Sequence, residues 1–134
     1  FNFLTYTPGN MVENEIDWVR IFIEEVLASY RRGQPLLAPT ELSAVVQKWV
    51  VSIHPFVDGN GRTSRGVQDV ILSSFGLPFV PAGTLQNDAL AGVINYASDT
   101  YNGVEKMMTF LEGCVDSYER GGQISYDCSA FKAK

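Results

Sequence analysis

The chain has few cysteines and no long apolar run. Its two cysteines, Cys114 and Cys128, are too few for a disulfide-rich scaffold and form no CxxC pair of the kind that binds zinc. We expect a free thiol at each position. No apolar run approaches the roughly 20 residues that a membrane-spanning helix needs, so we predict no membrane partner.

Basic residues are also scarce. Lys and Arg number 10 against 15 Asp and Glu in 134 residues, which gives a formal net charge of −5. Proteins that bind nucleic acid usually carry a basic face, so this balance disfavours nucleic acid as a partner. Apolar residues make up 46% of the chain, a composition typical of one globular domain.

The spacing of apolar residues predicts an all-α fold with five helices. Proline, glycine and Asn-Gly at the ends of the apolar patterns set their limits. The expected helices run from about Asn10 to Arg32, Pro39 to Ile53, Gly61 to Phe75, Leu85 to Tyr101 and Val104 to Tyr118. Phe1 to Tyr6 has the pattern of a strand without a neighbouring partner, so we interpret the chain as a fragment of a longer protein.

The segment from His54 to Arg65 does not resemble a plain turn between two apolar helices. It holds the only histidine of the chain, the carboxylate of Asp58, two arginines and the run Gly59-Asn60-Gly61. Each feature alone has an ordinary structural interpretation. These are a helix-capping histidine, a turn, a tight loop, and a surface ion pair of Arg65 with Asp69 that contributes about 0.3–0.5 kcal/mol.

The two arginines make those interpretations insufficient. Arg62 and Arg65 fall in the first turn of a predicted helix, where a positive charge opposes the helix dipole at about 0.3–1 kcal/mol each. The arrangement is expected if an anion binds at this helix end. Gly59, Asn60 and Gly61 let the backbone approach such a ligand with its N–H groups outward, and guanidinium groups supply forked donors suited to phosphate.

Asp58 and His54 add the remaining chemistry. A single carboxylate beside a phosphate site suits Mg²⁺, which typically binds through one or two carboxylates and the substrate's phosphates. Histidine is the side-chain type best suited to general-base work near neutral pH. The segment therefore indicates nucleophilic attack on a phosphate, with positioning and electrostatic stabilisation supplying most of the rate.

Residues His54 to Arg65 resemble the Fic-family signature HPFx(D/E)GNGRxxR, and every fixed position is present. The likeness extends over about residues 1 to 118, where Phe1 to Pro8 is similar to one strand of the family's flap hairpin. It implies a compact helical bundle with a short β flap segment at the N-terminus. We expect residues 1–122 to form an N-terminally truncated catalytic domain and residues 123–134 a tail.

Proteins with this signature mostly transfer AMP from ATP to a Ser, Thr or Tyr hydroxyl of a target protein and release pyrophosphate. The resemblance implies that His54 is the base, that Asp58 holds Mg²⁺, and that Phe56 points into the core and pins the loop. Arg62 would bind the β-phosphate and Arg65 the γ-phosphate. The remaining implied phosphate contacts are the backbone N–H groups of Gly59, Asn60 and Gly61 and the side chain of Asn60. The implied target-docking flap is Leu4, Thr5, Tyr6 and Thr7, which would pair with the target as an added strand.

Two departures from the family pattern leave alternatives open. The stretch Asn87–Leu90 lacks the tyrosines that many relatives carry near the adenine, so the nucleotide preference stays open. No segment has the inhibitory pattern (S/T)xxxE(G/N), and we expect any inhibitory helix to come from a preceding part of the protein or from a separate one. The alternatives are transfer of another phosphate-containing group, removal of AMP, and a module that binds a nucleotide or partner without catalysis.

Overall fold

The part of the chain described by a computed structural model, residues 6–80 and 92–121, contains four α-helices. The helices are α1 (Val12–Arg31), α2 (Pro39–Ile53), α3 (Asn60–Ser74) and α4 (Val93–Gly121), and a 3₁₀ turn, Gly9–Met11, precedes α1. Helix α2 is central, because it packs against each of the other three helices. The all-α prediction is confirmed.

Proline and glycine limit the first three helices where the sequence predicts. Pro39 occupies the first turn of α2, where no N–H is needed, and the N–H of Ala38 donates to the Glu41 carboxylate at 2.9 Å. Gly76 follows α3 with a φ of 74°. The N–H of Leu77 then donates to the carbonyl of Leu72 at 3.0 Å, the bond that closes a glycine-terminated helix.

Two buried apolar clusters share α2. The first joins α1, α2 and α3 through Val19, Val26, Leu42, Val46, Val50, Ile53 and Ile71. The second joins α2, α3 and α4 through Ala44, Leu72, Val80, Tyr96 and Val104. Ile53 is the last residue of α2 and is buried in the first cluster, so the apolar core holds the end of α2 in place next to His54.

Helix α4 differs from the prediction. Asn102-Gly103 was expected to separate two helices, but α4 continues through both residues. Glycine in a helix costs about 1 kcal/mol relative to alanine. Thr100, Val104 and Met107 are all buried around that point, and their packing outweighs the cost. The predicted start of the fourth helix, Leu85, lies outside the described residues.

The predicted flap is not seen as a strand. Leu4 and Thr5 lie outside the described residues, whereas Tyr6 and Thr7 are described and belong to no strand. The Thr7 hydroxyl donates to the Glu15 carboxylate at 2.7 Å, which ties this segment to the first turn of α1. No β-strand occurs within residues 6–80 and 92–121.

Three further expectations concern the cysteines, the C-terminal tail and membrane-spanning helices. Cys114 is disulfide-bonded, so the expectation of a free thiol at that position is wrong. Cys128 and the tail from residue 123 onward lie outside the described residues. None of the helices in the described part of the chain has the length and apolar character required to cross a bilayer.

Candidate active site

His54 lies at the junction where α2 ends. Its backbone is left-handed, with φ 55° and ψ 57°, and its N–H donates to the Val50 carbonyl at 3.2 Å. Pro55 disfavours the helical region for the residue before it, which explains why α2 stops here. Histidine is among the non-glycine residues enriched at positive φ, and such strained conformations cluster at functional sites.

The imidazole of His54 is stacked against the ring of Tyr6. The two ring centroids are 3.9 Å apart and the planes differ by 20°. Thr7, the next residue, is fastened on two sides, since its hydroxyl bonds to Glu15 and its N–H donates to the Ser52 carbonyl at 3.4 Å. The segment predicted to receive a target protein therefore passes directly over the predicted base.

Asn60 shapes the loop that follows His54. Its Oδ1 accepts the Phe56 N–H at 2.9 Å, and its Nδ2 donates to the Phe56 carbonyl at 2.8 Å. The side chain is buried, with the residue 5% exposed. Both polar atoms of the amide are therefore engaged with the Phe56 backbone, so the side chain clamps the loop to the start of α3.

Phe56 is not placed as expected. Its side chain was predicted to enter the core and pin the loop, but the residue is 53% exposed. The ring lies at the edge of an apolar groove between α1 and α3. The loop is pinned through the Phe56 backbone by Asn60, so a hydrogen-bonded clamp replaces the predicted apolar anchor.

Asp58 and Gly59 form the tip of the loop. Gly59 has φ 80°, a value that favours glycine, and its N–H donates to Oδ1 of Asp58 at 2.8 Å. Asp58 is exposed, so its carboxylate is accessible from solvent. The described residues contain no cluster of three or more His, Cys, Asp or Glu side chains that could enclose a metal. A lone carboxylate beside a predicted phosphate-binding loop fits the chemistry of Mg²⁺, which typically binds through one or two carboxylates and a substrate's phosphates.

Both arginine side chains fold back toward the loop, in the direction that helical side chains prefer. A Cβ added to Gly59 would lie 3.8 Å from the Arg62 guanidinium, and one added to Gly61 would lie 3.2 Å from the guanidinium of Arg65. The first turn of α3 contains no acidic residue. Positive charge and the helix N-terminus thus meet at one point, as an anion site requires.

Asp69 lies one turn beyond Arg65 on α3. Partial burial raises the pKa of its carboxyl, while a hydrogen bond from the Val80 backbone and the charge of Arg65 act in the opposite direction. Asp69 therefore links the arginine to the loop after α3. The ion pair considered from the sequence alone corresponds to this electrostatic interaction.

Six of the predicted residues surround one open cleft of about 340 Å³. They are His54, Asp58, Gly59, Asn60, Gly61 and Arg62, with the exposed Val57 beside them. Arg65 does not line this cleft; it is half-buried behind Gly61. The structure thus brings an imidazole, a carboxylate, the glycine loop at the start of α3 and one arginine to a single cleft.

Sequence reasoning missed a buried polar stripe along α3. Asn60, Ser64 and Gln68 are spaced four residues apart and are all at most 5% exposed. Val70, an apolar residue of the same helix, is 67% exposed. Polar residues at every fourth position of an otherwise amphipathic helix are the signal that could have revealed this stripe.

Each member of this stripe has a hydrogen-bond partner. Gln47 of α2 donates from Nε2 to the Ser64 hydroxyl at 3.0 Å. Gln68 donates to the Thr100 hydroxyl at 3.1 Å and accepts from the Tyr96 hydroxyl at 2.9 Å, both on α4. Buried polar groups are tolerated when they are paired in this way, so α3 is fastened by directional bonds on both sides.

Comparison with known proteins points to one family. The model of the Fic/DOC family matches residues 6–72. A Fido domain-containing protein of Dictyostelium discoideum is 36% identical over 64 residues, covering 48% of this chain and 45% of that protein. The proteins named protein adenylyltransferase Fic from Drosophila virilis and Drosophila melanogaster are each 31% identical over 80 residues, covering 60% of this chain and 16% of theirs. The chain thus spans less than half the length of these relatives.

Proposed function

The chain belongs to the Fic/DOC family, and we propose that it is a protein adenylyltransferase, which transfers AMP from ATP to a hydroxyl of a target protein. The observation that carries the proposal is the clustering of His54, Asp58, the glycine loop and Arg62 around one cleft. The name of the Drosophila relatives, protein adenylyltransferase Fic, favours AMP as the transferred group.

In the proposed reaction His54 takes the proton of a Ser, Thr or Tyr hydroxyl on the target. The freed oxygen attacks the α-phosphorus of ATP, the bond to the β-phosphate breaks, and pyrophosphate leaves. A base held in position typically contributes about 10²–10⁴-fold. The left-handed backbone of His54 and its place next to buried Ile53 support this role, because both hold the imidazole at a fixed point of the cleft wall.

The backbone N–H groups at the start of α3 and the guanidinium of Arg62 bind the phosphate oxygens in this proposal. Arg62 is exposed at the cleft and free to turn toward a triphosphate, whereas Arg65 approaches it from behind Gly61. The Gly59 N–H, which donates to Asp58, joins the cradle once that carboxylate turns outward. Preorganised donors of this kind stabilise charge that develops in the transition state.

Asp58 is the residue that would hold Mg²⁺ arriving with the nucleotide. The ion, when bound, would supply neutralisation of phosphate charge. The target lies along the segment that contains Tyr6 and Thr7, and the stacking of Tyr6 on His54 supports a docking position beside the base. Leu4 and Thr5 are proposed to extend this contact.

Mass spectrometry tests the proposed function. Candidate target proteins are incubated with ATP, Mg²⁺ and either the wild-type chain or the His54→Asn variant, and modified peptides are sequenced. We expect the mass of one AMP residue on Ser, Thr or Tyr with the wild type and none with the variant. Asparagine tolerates the left-handed backbone at position 54, so the variant keeps the fold and lacks the base.

Other outcomes separate the alternatives. A different added mass identifies another transferred group, and loss of AMP from a previously modified protein identifies the reverse reaction. ATP binding without any covalent product in the wild type contradicts the enzyme and favours a binding module.

A further inference from the structure

We infer that Gln47 and Ser64 are positioning residues, which set the register between the helix that carries the proposed base and the helix that carries the phosphate site. The inference rests on the proposed function for its effect on rate. The claim that these residues position the two helices rests only on hydrogen bonds between α2 and α3.

The contact is a directed relay of three groups. Gln47 Nε2 donates to the Ser64 hydroxyl at 3.0 Å, and that hydroxyl donates to the Gly61 carbonyl at 2.9 Å. The serine therefore uses its single proton toward Gly61 and its oxygen lone pair toward Gln47. Gln47 and Ser64 are both fully buried, so these bonds lie away from bulk solvent.

Both ends of the relay lie near the proposed chemistry. Gln47 lies on α2 seven residues before His54, which directly follows the helix, a separation of about two turns or about 10 Å. Ser64 lies between Arg62 and Arg65, and Gly61 forms part of the phosphate loop. A shift of α3 along α2 would therefore move the phosphate site relative to the imidazole.

Apolar packing between α2 and α3 opposes such a shift only through the fit of side chains, because burial of apolar surface is itself non-directional. A hydrogen bond has a preferred length and angle, and breaking this one leaves a buried amide without its acceptor. The relay therefore selects one position of α3 along α2 among positions that would bury similar amounts of apolar surface. Asn60 fixes the preceding loop, and the relay fixes the turn that follows it.

The test compares two variants that each remove one buried hydroxyl. Ser64→Ala removes the acceptor of Gln47 at the contact of α2 with α3. Thr100→Val removes the acceptor of Gln68 at the contact of α3 with α4, with little change in volume. Ser64 and Thr100 are both 0% exposed, and each accepts from a glutamine amide, so the losses of thermal stability should be similar. Gln47→Leu and the Gln47→Leu, Ser64→Ala double variant complete the set.

Two readouts are taken well below the unfolding temperature. The first is the NMR signal of the His54 ring, which is unambiguous because the chain contains only 1 histidine. The second is kcat and KM for AMP transfer to a target protein. We expect Ser64→Ala to move the His54 signal and to lower kcat about 10-fold, because misplacement of reacting groups by a fraction of an ångström is costly. Thr100→Val should change neither.

The double variant should be no slower than the slower single variant, since both substitutions break the same contact. The inference is overturned if Ser64→Ala leaves the His54 signal and kcat at their wild-type values, or if Thr100→Val changes them equally. If the wild type transfers nothing but Ser64→Ala alone moves the His54 signal, the proposed function fails and the positioning of the helices stands.

Discussion

Replacement of Asn60 by alanine tests whether a side chain, rather than apolar burial, holds the loop between α2 and α3. The substitution deletes both hydrogen bonds to the Phe56 backbone, at 2.9 and 2.8 Å. Each such bond contributes about 0.5–1.5 kcal/mol net. Phe56 itself is exposed and adds little packing. We therefore expect Asn60→Ala to lower the free energy of unfolding by about 1–3 kcal/mol.

The assay is equilibrium unfolding in urea, followed by far-ultraviolet circular dichroism. For a domain of this size about 1 kcal/mol corresponds to roughly 3–5 °C in melting temperature, so thermal unfolding gives an independent value. Thr63→Ala is the matched control, because Thr63 lies in the same first turn of α3 and is exposed. Exposed substitutions of this kind usually change stability by no more than about 0.5 kcal/mol.

Two results would refute the reasoning about Asn60. The first is an Asn60→Ala protein whose free energy of unfolding matches that of the wild type. The second is an equal loss in Thr63→Ala, which would attribute the effect to the helix end in general. Neither measurement depends on nucleotide or target, so the outcome is independent of the proposed function.

Three further predictions concern titratable groups. His54→Asn should abolish AMP transfer while urea unfolding stays close to that of the wild type, and transfer at the wild-type rate would exclude His54 as the base. Asp58→Asn should weaken Mg²⁺-dependent transfer without loss of stability, since the amide oxygen can still accept the Gly59 N–H; activity that is indifferent to divalent metal would contradict this role. Burial raises the pKa of the Asp69 carboxyl in the folded state, so the folded protein keeps that proton to higher pH than the unfolded chain does. The free energy of unfolding therefore falls as pH rises from about 4 through the folded pKa. Asp69→Asn should therefore be more stable than the wild type at neutral pH and equal to it below about pH 4, and a difference that does not vary with pH would count against this account.

The features predicted correctly from the sequence, such as the limits of α2 and α3, depend on residues close to one another in the chain. Pro39, Pro55 and Gly76 act within a few residues of their own position, so the limits of α2 and α3 follow from backbone restrictions alone. The cleft residues were also predictable as a group, since His54 to Arg62 are close in sequence and one loop brings them together.

Interactions between distant residues account for what the sequence did not predict. Ser64 and Gln68 are buried because Gln47 and residues of α4 satisfy their hydrogen bonds, and a single sequence does not specify such pairings. Continuous α4 likewise depends on packing around Asn102-Gly103 that outweighs local propensity. Phe56 shows the reverse case, because the family resemblance implied a position in the core whereas the residue is exposed.

The left-handed backbone at His54 has an evolutionary consequence. Histidine and asparagine codons differ by a single nucleotide, and asparagine adopts this conformation readily. One point mutation can therefore replace the proposed base while the helix end, the clamped loop and the phosphate cradle persist. A gene copy released from selection for transfer would lose that activity early and keep a folded domain. A single point mutation thus separates this scaffold from a folded protein that lacks the proposed base.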